Sequence, residues 1–462
     1  MRVRSCSIWL ALLALVGTSV PGVGDARAAD LTVATFRVDV TPPLGDGPCV
    51  GFMPRVTSVE HPLELRGVVL RTTSATFVLA AIDYCGICNT SDDTLRDALA
   101  EAAGTTRDRV ALQSLHQHSA PVLDADAVAM LHGEGSERHR AHLAFTAELA
   151  RRARVEITRG RAQRVLKILA SSARVDRVAS NRRVPQHDGS IAVRASLTVD
   201  PAIREAPEGL IDPFVRTVTF RGESSPLAQL HFYATHPQTF YGDGRVSWDQ
   251  VGMAREAHER DTGVFQLYFT GCGGNITVGK YNDGSRLARA EIARRLRTAL
   301  TESSRRAETD PDRSVDTAAL PAAEVAWKTA PLRFSVRTDG PFHPDALRSA
   351  LEADRPASLR LTAASFTAFF NRLRGGHVCQ ANRLRLGEID LVFLPGEPFV
   401  EFQLFAQRQA QGFVCVAGYG ECGVWYYGPD QIYRDRGGYE QSWSVTGPCE
   451  ESVHTALREL VR

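Results

Sequence analysis

Short apolar runs of strand character alternate with stretches of helical spacing from Leu70 to Leu394, and this alternation suits neither an all-helix nor an all-strand molecule. Leu70 to Asp83 reads as a strand end, a turn and a buried strand, and Asp92 to Ala103 carries helical spacing. Val110 to His118 reads as a strand running into a histidine-rich turn, followed by an amphipathic helix from His139 to Ile157. Strands are expected near 164–174, 192–199, 216–221 and 227–234, then a helix over 252–259, a buried strand at 264–269 and a helix over 285–303. Further strands near 325–336 and 389–394 flank a helix over 344–353. The expectation is a mixed α/β architecture of layered sheet with interleaved helices. The charged stretch 304–316 reads as a loop, the best candidate for an internal boundary in a single domain running from 29 to 462. The sequence shows no internal repeat.

The first 28 residues read differently. Arg2 and Arg4 precede an apolar run from Ile8 to Val16, and Ala26-Arg27-Ala28 offers a small-x-small cleavage site. These are the three parts of a secretory signal peptide, and the run is well short of the roughly 20 residues that span a membrane. A secreted or periplasmic mature protein is expected. Export changes how cysteine is read: of nine, removal of Cys6 leaves eight, an even number that permits disulfides without choosing their pairing. Cys85-x-x-Cys88 lacks a second pair at zinc-ribbon spacing, so a disulfide or buried thiol is expected there. With 54 basic against 53 acidic side chains, no cationic surplus exists to neutralise phosphates, and a nucleic-acid partner is not expected.

Familiar catalytic signatures are absent: His258-Glu259 has no second histidine at 262, and there is neither a G-x-S-x-G elbow nor a phosphate-binding G-x-x-x-x-G-K. Four other segments carry chemistry-bearing side chains. In Leu115-His116-Gln117-His118-Ser119-Ala120-Pro121, histidines two apart on a strand face one site together, as a metal ligand with a proton carrier or as a satisfied polar pair. In Ala234-Thr235-His236-Pro237, the proline halts an apolar strand and leaves His236 at its end, as a ligand or a buried capping group. Pro395-Gly396-Glu397 places a carboxylate after a buried strand and tight turn, where it also suits the start of a following helix. The aromatic cluster Trp425-Tyr426-Tyr427-Gly428-Pro429, then Gly437-Gly438-Tyr439-Glu440, reads by itself as core.

Together these segments resemble the neutral (non-lysosomal) ceramidase family. Its T-H-T-H-S-G-P pattern corresponds to Leu115–Pro121, its A-x-H strand end to Ala234-Thr235-His236, and its asparagine-arginine segment to Asn181-Arg182-Arg183. Its P-G-E-F motif is similar to Pro395-Gly396-Glu397-Pro398, and its Y-x-x-Y with a later Y-E pair to Tyr427 and Tyr439-Glu440. The order holds from residue 31 to about 450. The resemblance implies a ceramidase-like catalytic-domain fold with zinc held by His116, His236, Glu397 and Tyr427, Tyr426 being the alternative to Tyr427. It puts His118, Arg182 and Tyr439 around the scissile amide. Zinc with an open position lowers the pKa of bound water to near 7. His118 then carries the proton to the leaving amine, and Arg182 and Tyr439 donate to the developing oxyanion.

Two departures qualify the resemblance. The family's G-D-V-S-P-N loop reads Gly274-Asn275-Ile276-Thr277-Val278-Gly279, so Thr277 stands where a serine was once regarded as nucleophile. Its branched side chain suits a positioning role better than covalent attack. Only 23 residues follow Tyr439, so the C-terminal β-sandwich of larger ceramidases and its calcium ligands are expected to be missing. The expected function is exported, zinc-dependent hydrolysis of the amide of ceramide or a related N-acyl lipid. Peripheral membrane contact is compatible with such a substrate, and no obligate protein partner is implied. The alternatives are a hydrolase of a smaller amide or ester, and a secreted lipid-binding protein without turnover.

Overall fold

The computed structural model describes residues 30–45 and 55–462; the segment expected to be a signal peptide, Cys6 and Cys49 lie outside them. Three mixed sheets carry the architecture. The N-terminal sheet runs in the order Val110–Ser114, Thr76–Ile82, Glu64–Arg71, Thr32–Asp39, Gln163–Arg164. The central sheet runs Phe265–Thr270, Pro226–Tyr233, Phe214–Arg221, Lys167–Arg174, Arg313–Asp316, and the C-terminal sheet Val325–Leu332, Cys379–Leu386, Ile389–Pro395, Phe413–Gly420.

One plan recurs in all three. An antiparallel hairpin is followed by a helix, and the chain returns as a strand parallel to the hairpin's second arm. The crossover helices are Asn89–Ala103, Asp249–Thr262 and Val400–Gln409. The parallel arms are buried on both faces, which explains their nearly unbroken apolar runs. Along Thr76–Ile82, Phe77, Leu79 and Ala81 face the core shared by the three sheets, whereas Val78, Ala80 and Ile82 face the helices outside. Along Ile389–Pro395, Leu391 and Phe393 alternate with Val392 and Leu394 in the same way. The architecture is the expected mixed α/β arrangement.

Asp83 directly follows the first parallel arm and pairs with Arg255 of the second crossover helix at 2.7 and 2.9 Å, both side chains fully buried. This pair ties the N-terminal sheet to the central unit.

Several sequence expectations shift. The stretch 304–316 is no loop: helix Arg286–Thr309 runs on through its first part, and Arg313–Asp316 adds an edge strand beside Lys167–Arg174. Helices Ala357–Arg374 and Glu450–Val461 had no counterpart in the sequence reading. Neither N-cap residue, Pro356 or Cys449, supplies a capping side chain, so the usual local start signal is missing. The strand expected to reach His118 stops at Ser114. The seven described cysteines are all buried free thiols. Among the described residues no helix is long and apolar enough to cross a membrane.

Candidate metal centre

The carboxyl ends of the parallel strands from all three sheets converge on one place, the usual position of a site in such sheets. His116 and His118 follow Val110–Ser114, His236 follows Pro226–Tyr233, Glu397 follows Ile389–Pro395, and Tyr419 ends Phe413–Gly420.

His116 is not held by strand alternation. After Ser114 the chain turns, with the Leu115 amide donating to Ile82 and the His116 amide to Tyr84, and His116 adopts φ +71°. A non-glycine residue in this left-handed region carries a conformational cost of order 1–3 kcal/mol that the surrounding packing must offset. The ring stacks on Tyr419 at 4.3 Å, and Nδ1 lies 2.6 Å from the Cys85 carbonyl. A carbonyl only accepts, so Nδ1 carries a hydrogen and Nε2 is the nitrogen turned toward the site. The carbonyls of Gly273 and Ile276, 2.7 and 3.1 Å from Nδ1 of His236, fix the same tautomer there. This backbone bracing is how metal-ligating histidines are normally oriented.

Glu397 reaches the pair from a turn that requires glycine. Gly396 has φ +59°, and a Cβ there would lie 1.9 Å from Val424 and 2.6 Å from the Trp425 carbonyl. Oε2 of Glu397 stands 3.1 Å from Nε2 of His116 and 3.3 Å from Nε2 of His236. The Tyr426 hydroxyl is 3.2 Å from the same His236 nitrogen. Zinc bonds of about 2.0–2.1 Å set tetrahedral edges of roughly 3.3–3.4 Å, close to these separations. Moreover, His116 Nε2 and Glu397 Oε2 are buried and complete no hydrogen bond of proper geometry. Buried polar atoms left in that condition are what a cation would satisfy. The donor set fits a divalent ion.

Cys85, His116 and His118 also lie within ligating distance of one another. The group of His116, His236 and Glu397 is the better candidate, because it uses the two orphaned atoms and keeps both histidine–carbonyl bonds.

The electrostatics agree. Burial is the largest single influence on His116 and pushes it down, but Glu397 and Cys85 together outweigh it and raise the imidazole to about 10. Glu397, which burial would raise, is held far below the usual carboxylate range by His116 and His236. Burial and then Arg182 lower His236 to about 4. His118 is pushed well below its ordinary value by burial, then by His116 and His236. One proton therefore sits between His116 and Glu397, where a divalent cation can replace it.

Tyr427 requires a correction. Its hydroxyl donates to the Pro395 carbonyl at 2.8 Å and its ring packs in the core against Phe334 and Phe402, away from the two histidines. The short strands 397–398 and 426–427 pair in parallel with Glu397 opposite Tyr426, so Tyr426 shares the carboxylate's face and Tyr427 takes the other. Of this adjacent pair, Tyr426 is the one at the site.

The remaining expected residues gather with varying closeness. His118 packs 4.9 Å from the His116 ring and 5.7 Å from that of His236. Its Nδ1 lies 3.1 Å from the His116 carbonyl. Buried Arg182 donates to the Tyr426 hydroxyl at 3.2 Å and lies over the half-buried Tyr439 ring at 5.1 Å. Burial pushes the Tyr439 phenol up to about 12, so it remains a donor at neutral pH. Thr277 is buried and its hydroxyl accepts the Gly279 amide, which holds the loop's own turn. That loop works mainly through backbone: its Ile276 carbonyl, with that of Gly273 just before it, orients His236. Asn275 accepts from the Val400 amide and donates to Glu401, capping the third crossover helix from outside it. Tyr419 and the Cys85 carbonyl were not foreseen, since nothing local in the sequence marks a stacking ring or an accepting backbone oxygen.

No protein-family model matches the chain, and no curated protein matches it. Solved structures do. A structure described as a ceramidase complexed with C2 superposes with TM-score 0.66 at 16% identity, covering 94% of this chain and 75% of that one. The crystal structure of neutral ceramidase from Pseudomonas aeruginosa gives 0.65 at 16% identity, with 94% and 74% covered. The chain has the neutral ceramidase fold.

Proposed function

We propose that the chain is a zinc-dependent amidohydrolase that cleaves the N-acyl bond of a ceramide or related N-acyl lipid. The observation that carries this reading is the convergence of two carbonyl-braced imidazoles and a carboxylate beside a buried arginine, on a fold shared with ceramidases. His116, His236 and Glu397 would hold the ion, with Tyr426 beside them. When bound, zinc supplies Lewis acidity and lowers the pKa of coordinated water to near 7. With Nδ1–H directed at the His116 carbonyl, His118 offers Nε2 as an acceptor. Its depressed pKa keeps the ring neutral at physiological pH, so it can accept a proton from the attacking water and pass it to the departing amine. Arg182 and Tyr439 donate to the carbonyl oxygen as it gains charge. The same reading has the enzyme exported by its amino-terminal segment and acting on lipid-like substrates without an obligate protein partner.

Incubation of the purified protein with labelled ceramide and with short N-acyl amides, with and without chelator, tests this directly. Chelator-sensitive release of fatty acid from ceramide is the expected result. Cleavage of the short amides alone would move the assignment to a smaller substrate, and no turnover of either would overturn it.

A further inference from the structure

A second group of ligating side chains lies on the other side of the Tyr419–Trp425 segment. His377 and Cys379 are two apart at the start of strand Cys379–Leu386, and Glu421 follows the end of strand Phe413–Gly420. Their ligand atoms all lie within 4.8 Å of one another. They meet because the intervening strand ends at Pro395 and turns away through Gly396, so side chains from the strands on either side close over its end. His377 Nε2 is 2.6 Å from the Glu421 carboxylate, while Cys379 is fully buried and Glu421 nearly so.

A fourth group points to a ligand independently. Asp92 lines the same cavity of about 740 Å³ as His377 and Glu421. Its side chain is only 5% exposed, and although Oδ2 accepts from Arg96, the buried Oδ1 has no partner. The cations nearby are already engaged: Arg96 with Asp92, and Arg372 with Asp93 at 2.8 Å. Arg372 also reaches Glu421 at 3.4 Å and the His377 ring at 3.3 Å, as an outer donor that steers the carboxylate. Cys379 is a buried free thiol.

We infer that His377, Cys379 and Glu421, with Asp92 beside them, form a second, structural site for a thiophilic divalent cation of the zinc class. Binding breaks the Cys379 S–H bond, forms a sulfur–metal bond and releases the proton to solvent; no electrons are exchanged. A thiolate selects zinc over magnesium or calcium. The segment this ion would clamp carries backbone that needs holding: Tyr419, Glu421 and Trp425 have φ of +66°, +33° and +54°. Tyr419 stacks on His116 and Tyr426 follows directly, so the clamp would fix one wall of the first centre.

Cobalt loading of the demetallated full-length protein tests the assignment without reference to activity. A thiolate-to-cobalt charge-transfer band is expected in the wild type and in His116→Ala, and is expected to vanish in Cys379→Ser. Zinc content should fall by one equivalent in Cys379→Ser and by a different equivalent in His116→Ala. Should Cys379→Ser fail to fold, His377→Gln must weaken cobalt binding at least tenfold while retaining wild-type circular dichroism. Absence of the band in the wild type, its survival in Cys379→Ser, or unchanged affinity in folded His377→Gln would each overturn the second site. Zinc lost in His116→Ala but not in Cys379→Ser would overturn the second site while leaving the hydrolase reading standing.

Discussion

Nε2 of His116 stands 3.1 Å from Oε2 of Glu397, a separation that suits one shared proton or one shared cation. With His116 raised to about 10, ion uptake at this centre must expel its proton. In a Cys379→Ser background, which removes the second thiol proton, zinc binding should release about one proton. Affinity should climb about tenfold per pH unit across the neutral range. Isothermal titration in buffers of different protonation enthalpy reads both. Proton-independent uptake would contradict the site, and His116→Ala should lose the binding event.

Tyrosines 426 and 427 should separate cleanly. Tyr426→Phe removes the hydroxyl beside His236 and Arg182 and should lower turnover by about ten- to a thousandfold, the scale of a lost oxyanion-site donor. Tyr427→Phe removes only the bond to the Pro395 carbonyl and should cost about 1 kcal/mol of stability, with turnover near wild type. The reverse pattern in paired kinetics and denaturant melts would restore Tyr427 to the centre.

What the sequence revealed followed side-chain chemistry, and what it hid followed tertiary parity. His116, His118, His236 and Glu397 stood out as imidazoles and a carboxylate near strand ends, but each had more than one reading, and the resemblance to ceramidases supplied their roles. The reason offered for pairing His116 with His118 fails, since the strand stops at Ser114 and a left-handed turn does the aiming. Tyr426 and Tyr427 could not be told apart without the register to Glu397. The three-sheet plan escaped notice because its units share topology and no sequence motif.

His118→Ala should retain the zinc of both centres and its melting temperature while losing about 10²–10⁴ in rate, the usual worth of a general acid–base group. A folded, zinc-loaded variant with near wild-type turnover would remove His118 from the mechanism.

The fully buried Arg255–Asp83 pair bridges two sheets. Asp83→Ala leaves both terminal nitrogens of the buried Arg255 without Asp83, with only Nε held by Glu256 at 3.0 Å, and should cost about 3 kcal/mol. The double replacement Asp83→Leu with Arg255→Met should recover most of that loss in urea melts. Equal destabilisation by the single and double variants would show that the pair's charge is not the cause.

Acid should unfold the protein through its neutral buried histidines. Burial, and then His258, lower His231 to about 3. Because the folded value lies below the ordinary 6.5, its contribution is complete above pH 6.5 and drains away as pH falls toward 3, at about 1.4 kcal/mol per pH unit. His231→Gln, which retains hydrogen-bonding capacity toward Thr217 and Gln266, should flatten that acid limb. An unchanged slope would locate the acid lability elsewhere.

The recurrence of one strand–helix–strand plan in three sheets has a consequence for how the molecule matures. Each sheet contributes a different piece of the centre, and the pieces meet only where the sheets dock. No sheet excised alone brings His116, His236 and Glu397 together, and a nascent chain lacks the trio until residue 397 has been synthesised and packed. Such long-range assembly belongs to the slow end of folding timescales. Metal capture at this centre would thereby be a chemical signal that the last docking event has finished, and its appearance during refolding should trail the return of secondary structure.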